Sequence, residues 1–200
     1  MNIYRMMQGM NYTNEICKSL GVISEMLTDR GLDAKNLSRV SEREIQAIVN
    51  MRNMFSIAAG HVTIVYDLSP RFKWIDTKKY IETIDHGDRE PSLFIIVIKE
   101  LSDCKKVVDF DAADFQVFSI KDLQFNRAHH VLVPKHELVK TDKEITSILT
   151  NYQLKSITQL PLILKTDPMS KYLNAKSGNV IKVTRISPTC GENVVYRCVA

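Results

Sequence analysis

Gln159-Leu160-Pro161-Leu162-Ile163-Leu164-Lys165-Thr166-Asp167-Pro168-Met169-Ser170-Lys171-Tyr172-Leu173 decides how the second half of the chain folds. Leu160, Leu162 and Leu164 share a parity, but Pro161 cannot donate to a ladder and argues against a regular central strand. The expectation is an extended apolar arm followed by a turn. Asp167-Pro168 then reads as a helix start: the carboxylate can accept from free backbone donors, and proline at the first helical position gives up a donor that has no partner there. Met169, Tyr172 and Leu173 follow at the spacing of one buried helical face.

Downstream, Ser177-Gly178 turns the chain. Val180 to Ile186 and Val194 to Val199 have strand composition, and the residues from Pro188 to Asn193 between them supply a loop, so an antiparallel pair is expected. On that strand Arg185 shares a face with Ile181 and Val183, and Lys182 falls on the other. Upstream, Thr141 with Glu144 matches a capping box, and Ile145, Ile148, Leu149 and Tyr152 form a helical core face. Val131 to Val133 reads as a short strand stopped by Pro134, and Phe125 to His130 as the junction to what precedes.

This half resembles the C-terminal assembly domain of the fifth subunit of eukaryotic-type RNA polymerases, a family with an archaeal counterpart. The resemblance is carried by His130, Leu132, Val133, Pro134, Lys135 and His136, then by Gln159, Leu160, Pro161, Ile163, Asp167, Pro168, Tyr172 and Leu173. Gly178, Val180, Lys182, Arg185, Gly191, Tyr196 and Arg197 complete it in order. It implies that Pro134, Pro161, Asp167, Pro168, Tyr172, Gly178 and Tyr196 shape the domain. It also implies that Lys135, His136, Lys165, Lys176, Lys182, Arg185 and Arg197 face the largest polymerase subunit. From the residues themselves, Asp167 reads as a cap, Gly178 as a turn, the tyrosines as core aromatics, and Arg185 either as an ordinary exposed arginine or as one at the rim of an apolar patch with its head on a carboxylate. Two departures matter: Asn174-Ala175-Lys176-Ser177-Gly178 stands where the family often has Gly-Leu-Lys-Arg-Gly, and Glu192 where it often has Arg.

The first half reads as helices followed by strands. A helix is expected from about Asn14 to Arg30, with Ile16, Leu20, Ile23 and Leu27 as its apolar stripe and Gly31 as its end; residues before it read as a loose start. Ile23 to Gly31 also resembles the first helix of the same subunit, with Leu32 in place of the usual Tyr. Ser41 with Glu44 gives a second capping box, with Ile45, Ile48 and Val49 inward, and Arg52 to Ala58 prolongs that helix or bends. Val62 to Tyr66 and Leu93 to Ile98 read as strands, the latter apolar on both faces as in a buried central strand. Lys73 to Ile84 is ambiguous, strand then helix being one reading; residues 86–91 read as a polar loop, and Val107 to Phe110 and Phe115 to Ile120 as further extended segments.

The fold class is therefore α+β, with an α/β part. Residues 1–126 form an α/β domain of early helices and a mainly β sheet, which the resemblance identifies with the jaw, and 127–200 form a small α+β assembly domain. A unit of about 70 residues has little core of its own, and a partner surface would help stabilise it.

The composition bounds the chemistry. The chain has 200 residues, 44 % of them apolar, and a net charge of +4. Residues 129–200 hold 10 Lys+Arg against 5 Asp+Glu, while the first 128 hold 17 against 18. The basic second half suits an acidic groove, nearby nucleic acid, or simply solvent. No apolar run approaches the length of a membrane span, and no signal-peptide pattern is present. Cys17, Cys104, Cys190 and Cys198 form no Cys-x-x-Cys pair and read as buried thiols in a reducing compartment. A zinc site would need a histidine such as His129, His130 or His136 folded back beside Cys190 and Cys198. Those histidines lack the spacing of a ligand pair, and no phosphate-binding glycine loop or nucleophile elbow occurs. A metal nuclease would need convergent carboxylates and often a nearby lysine; Asp67 and Glu100 at strand ends, with Lys99, are the candidates, though acids there are also the common solvated edge of a sheet and Lys99-Glu100 is not the usual Glu-x-Lys order.

No cofactor and no metal are expected. The resemblance implies a non-catalytic subunit of a multisubunit DNA-dependent RNA polymerase, anchored to the largest subunit and forming part of the lower jaw near downstream double-stranded DNA. Arg71, Lys73, Lys78 and Lys79 are the candidates for nonspecific phosphate contact; a solvated charged loop is the plainer reading. The location would be the nucleus for a cellular protein, and the virion or host cytoplasm for that of a large DNA virus. The alternatives are an interaction module of another transcription-related complex, or a metal-dependent nuclease.

Overall fold

The computed structural model describes residues 3–37, 40–69, 71–84, 93–100, 115–187, 189 and 191–200, with side chains from residue 12 onward. The chain falls into two compact units, Met1–Phe125 and Asn126–Ala200.

The first unit opens on α1 (Ile3–Arg30), which begins well before the expected Asn14. Its stripe of Ile16, Leu20, Ile23, Met26 and Leu27 is buried. The helix ends at Gly31, whose φ of 82° is the left-handed conformation glycine adopts without strain. Leu32 N–H there reaches back to Leu27 C=O and Gly31 N–H to Thr28 C=O, which satisfies two orphan carbonyls. In α2 (Glu42–Met51) Ser41 and Glu44 close the expected capping box, and Ile45 is its buried residue.

Four strands follow: β1 (Met54–Ala59), β2 (Val62–Asp67), β3 (Leu93–Ile98) and β4 (Phe115–Ser119), in that spatial order. β1 is antiparallel to β2, whereas β2, β3 and β4 run parallel. Residues 52–58 thus enter a strand instead of prolonging α2, because pairing of Phe55 with Tyr66 and Ile57 with Ile64 outweighs a helix-compatible composition. The expected strand at the start of 73–84 is absent: the segment is α3 (Trp74–Thr83).

Alternation along the strands assigns the two faces of this sheet. Val65, Phe94, Ile96 and Ile98 cluster with Ile81, Trp74 and Tyr80 of α3. On the other face Tyr66 meets Ser19 of α1, their oxygens 2.7 Å apart. β3 is buried at every residue because helices cover both its faces and strands flank both its edges. The expected segments at 86–91 and 107–110 lie outside the described residues.

The second unit is a four-stranded sheet of order β5 (Lys135–Val139), β7 (Val180–Ser187), β8 (Gly191–Val199) and β6 (Leu162–Ile163). β5 and β8 flank β7 antiparallel, and the short β6 lies parallel to the end of β8. The hairpin of β7 and β8 is the pair expected from composition. Residues 131–133 are a turn, not a strand: Val133 N–H bonds back to His130 C=O at 2.9 Å. α4 (Asp142–Asn151) starts after Thr141, but Thr141 makes no side-chain cap. Of the α4 stripe only Ile148 is fully buried, and Tyr152 is exposed beyond the helix end, edge-on to Tyr196 at 6.0 Å. α5 (Pro168–Tyr172) is the short helix begun by Asp167-Pro168.

Candidate docking face of the C-terminal unit

The Gln159–Leu173 stretch positions the unit's elements from one side. Leu160 is buried beside Val180 and Cys198, and Pro161 stands just outside the ladder, its carbonyl accepting from Cys198 N–H at 2.9 Å. Leu162 and Leu164 are exposed, so the three leucines divide between core and surface despite their shared parity. Asp167 Oδ1 accepts from Met169 N–H at 2.8 Å, and Met169 and Tyr172 are buried. The helix closes on Asn174, whose φ of 54° is left-handed; Ala175 N–H reaches Ser170 C=O and Asn174 N–H reaches Lys171 C=O. Asparagine is the side chain that best tolerates this conformation, which explains how it stands where the resemblance has glycine. Gly178 takes φ of 87° at the next turn.

Asn126 is a residue that motif reading missed. Its Oδ1 caps a 3₁₀ turn at Ala128 N–H (2.9 Å), and its Nδ2 donates to Tyr172 Oη (3.2 Å) and to His129 Nδ1 (3.3 Å). An Asn two residues before a backbone donor is the only local signal for it. His130 and His136 are similarly committed. His130 Nδ1 accepts from Leu132 N–H at 3.2 Å, and His136 Nδ1 donates to Pro134 C=O at 2.7 Å.

The register of β5, β7 and β8 sorts the candidate interface residues. Arg185, Arg197 and His136 lie on the face of Ile181, Val183 and Leu138; Lys182 and Lys135 lie on the opposite face with Tyr196 and Glu137. Lys135 is paired with Glu137 at 2.7 Å, an exposed pair of small energetic weight. Arg197 Nη1 donates to Leu162 C=O at 3.0 Å, and Arg185 is exposed. Lys165 N–H bonds Ala200 C=O, while Lys176 sits in the exposed turn that Asn179 Oδ1 closes on its N–H at 2.8 Å. The seven residues therefore do not form one patch: the arginines and His136 share a sheet face, and the lysines are dispersed.

In the first unit Arg71, Lys73, Lys78 and Lys79 are all exposed around the start and outer side of α3. Lys78 lies 4.0 Å from Glu82, and Asp76 is exposed on the same helix, so the outer face of α3 is mixed in charge. The ends of β2 and β3 do adjoin, with Asp67 opposite Ile98. Yet Asp67 is buried and committed: Oδ2 accepts from Thr77 Oγ1 and Oδ1 from Ser69 N–H, both at 3.0 Å. Lys99 lies over the Tyr12 ring, and Glu100 pairs with Lys121 at 3.0 Å. That hydrogen bond and charge hold the Glu100 carboxyl below its usual range. Among the described residues no group of three or more His, Cys, Asp or Glu side chains could hold a metal ion. Cys17 is only half buried, against expectation, and Cys198 is buried; burial pushes both thiols up, and the Glu42 charge adds to this at Cys17. Cys104 and Cys190 lie outside the described residues. Among the described residues, no helix is long and apolar enough to cross a membrane.

These features define an α+β protein whose small C-terminal unit offers a partly basic sheet face. Residues 125–199 match the family model described as RNA polymerase Rpb5, C-terminal domain. The chain is 47 % identical over 70 residues to DNA-directed RNA polymerase subunit Rpo5 of Methanocaldococcus jannaschii, covering 35 % of this chain and 87 % of that protein. It is 28 % identical over 200 residues to subunit rpabc1 of DNA-directed RNA polymerases I, II and III of Dictyostelium discoideum, covering 92 % and 96 % of the two chains. Subunit 5B of DNA-directed RNA polymerases IV and V of Arabidopsis thaliana is 27 % identical over 188 residues, 88 % of this chain and 85 % of that one. The chain belongs to the family of the fifth subunit of DNA-directed RNA polymerases.

Proposed function

We propose that this chain is a non-catalytic structural subunit of a multisubunit DNA-dependent RNA polymerase. Its C-terminal unit is the assembly domain and docks on the largest subunit. Its N-terminal unit is the jaw, lying beside downstream DNA, and Arg71, Lys73, Lys78 and Lys79 give it weak, sequence-independent attraction to phosphate. Catalysis and its metal ions belong to the large subunits. A cellular eukaryotic chain would work in the nucleus, as its eukaryotic relatives suggest, and a viral one in the virion or host cytoplasm.

One observation carries the reading. The archaeal relative, itself named a polymerase subunit, is matched over 87 % of its length by 70 residues of this chain. A protein made of little besides this unit must assemble through it. The commitment of Asp67, Lys99 and Glu100 to local partners favours this reading over a nuclease.

Purification of the tagged full chain from its native cells at low salt tests it. The two largest polymerase subunits are expected at equal amounts with the chain; recovery as a free monomer overturns the reading. Arg185→Glu, an exposed strand position, is expected to lower retention in that complex while leaving thermal unfolding of the isolated chain within about 0.5 kcal/mol of the parent.

A further inference from the structure

The two edges of the C-terminal sheet differ. β6 covers only the last part of β8, where Leu162 pairs with Cys198 and Ile163 with Val199. Hydrogen bonds fix which backbone groups of β8 point outward. Cys198 N–H bonds Pro161 C=O and Ala200 N–H bonds Ile163 C=O, whereas Val199 N–H bonds Asn179 C=O on the inner side. In an antiparallel ladder this alternation continues along the strand, so Glu192, Val194 and Tyr196 turn their N–H and C=O groups away from β7. Among the described residues, no strand of the sheet pairs them. An open edge of this kind is a template for an added strand.

The side chains flanking the edge state what such a strand must carry. On the face of Ile181 and Val183, the described residues of β5, β7 and β8 include Arg185, Arg197 and His136 and no Asp or Glu. The opposite face offers Val194 and Tyr196, with Tyr152 edge-on to the latter, and its charges are of both signs: Lys135 and Lys182 with Glu137 and Glu192. We propose that the free edge of β8, residues 191–196, receives an extended segment of a polymerase core subunit by strand addition. That segment places carboxylates on the Arg185/Arg197 face and apolar side chains on the Val194/Tyr196 face, at alternate positions. The proposal rests on the polymerase-subunit reading and specifies how that contact is made. It also accounts for the tolerance of Glu192 where the resemblance has arginine, since Glu192 lies on the face away from the two arginines.

Residue-resolved hydrogen exchange on the full chain, free and within the purified polymerase, tests the proposal. In the free chain the amides of Val194 and Tyr196 exchange fast and those of Asn193 and Val195, bonded to β7, exchange slowly. In the complex the amides of Val194 and Tyr196 slow by about a hundredfold or more. Unchanged exchange at these two positions in an intact complex overturns the proposal while leaving the subunit reading standing; absence of any complex overturns that reading instead. Slowing in the free chain with the mass of a dimer assigns the edge to a second copy, which also overturns the proposal. Val194→Pro gives the second arm. Its missing N–H faces outward, so the bonds to β7 survive, and retention in the polymerase is expected to fall at least tenfold. Full retention of a folded Val194→Pro chain refutes strand addition.

Discussion

Removing either oxygen of the Ser19–Tyr66 pair separates what a buried hydrogen bond contributes from what an orphaned group costs. Both residues are completely buried, and their oxygens lie 2.7 Å apart. Ser19 Oγ donates to Ile16 C=O at 2.8 Å, so the phenol of Tyr66 is the donor of the shared bond. Ser19→Ala leaves that phenol buried with no acceptor, a cost of about 1–3 kcal/mol. Tyr66→Phe leaves Ser19 still bonded to Ile16, and the ring stacked on Phe55 at 4.9 Å, so about 1 kcal/mol is expected. The double variant has neither group to desolvate. Its cost should fall short of the sum of the singles by about 1 kcal/mol. Trp74 is the chain's one tryptophan and lies in the first unit, so its fluorescence in a denaturant titration reports that unit. Strict additivity, or a larger loss for Tyr66→Phe than for Ser19→Ala, refutes the assignment. A pH arm follows from the same geometry. Burial pushes the Tyr66 phenol well above its ordinary 10.0, outweighing the opposing bond to Ser19. The unfolded chain then releases the proton first, and stability falls as pH rises past about 10, by up to roughly 1.4 kcal/mol per unit. Tyr66→Phe should lack that contribution.

Two stability changes in the C-terminal unit have the opposite sign. Gln153 holds φ of 54° while closing α4, with Leu154 N–H on Leu149 C=O; Gln153→Gly relieves a left-handed side chain and should raise stability by about 1 kcal/mol in thermal unfolding. Ser170 is fully buried in α5 with no partner for Oγ among the described residues, and Ser170→Ala should stabilise by about 1 kcal/mol, a loss counting against an orphaned hydroxyl.

Legibility follows the range of the interactions. Caps made within four residues can be read directly: Ser41 with Glu44 and Asp167 with Met169 form as their sequences state. Among the described residues the same helix ending occurs at Gly31, Gln153 and Asn174; glycine announces it, asparagine tolerates it, and glutamine gives no sign of it. At Gln153 the fold imposes the left-handed conformation on a residue that does not advertise it. β1 is illegible because Met54 and its alanines carry no strand signature; its register against β2 makes it a strand. β3 is plain because burial on both faces demands an unbroken apolar run.

The candidate site divides in the same way. Motifs name the charged residues, but a motif is one-dimensional and says nothing of which faces coincide. Strand parity alone parts Lys182 from Arg185, but only the pairing of the two strands puts Arg185 and Arg197, twelve positions apart, on one face. A one-residue shift of the β7–β8 register would reverse that grouping. What holds the register is the end of the hairpin remote from its loop, where Asn179, Gly178 and Val199 exchange backbone bonds and Ile163 receives Ala200. The Asp-Pro helix and its Asn174 ending aim the chain at Gly178, so the short apolar arm and the basic face are parts of one construction. The arm fastens the final strand at residues 198–199, and among the described residues no strand pairs the outer edge of the stretch before it.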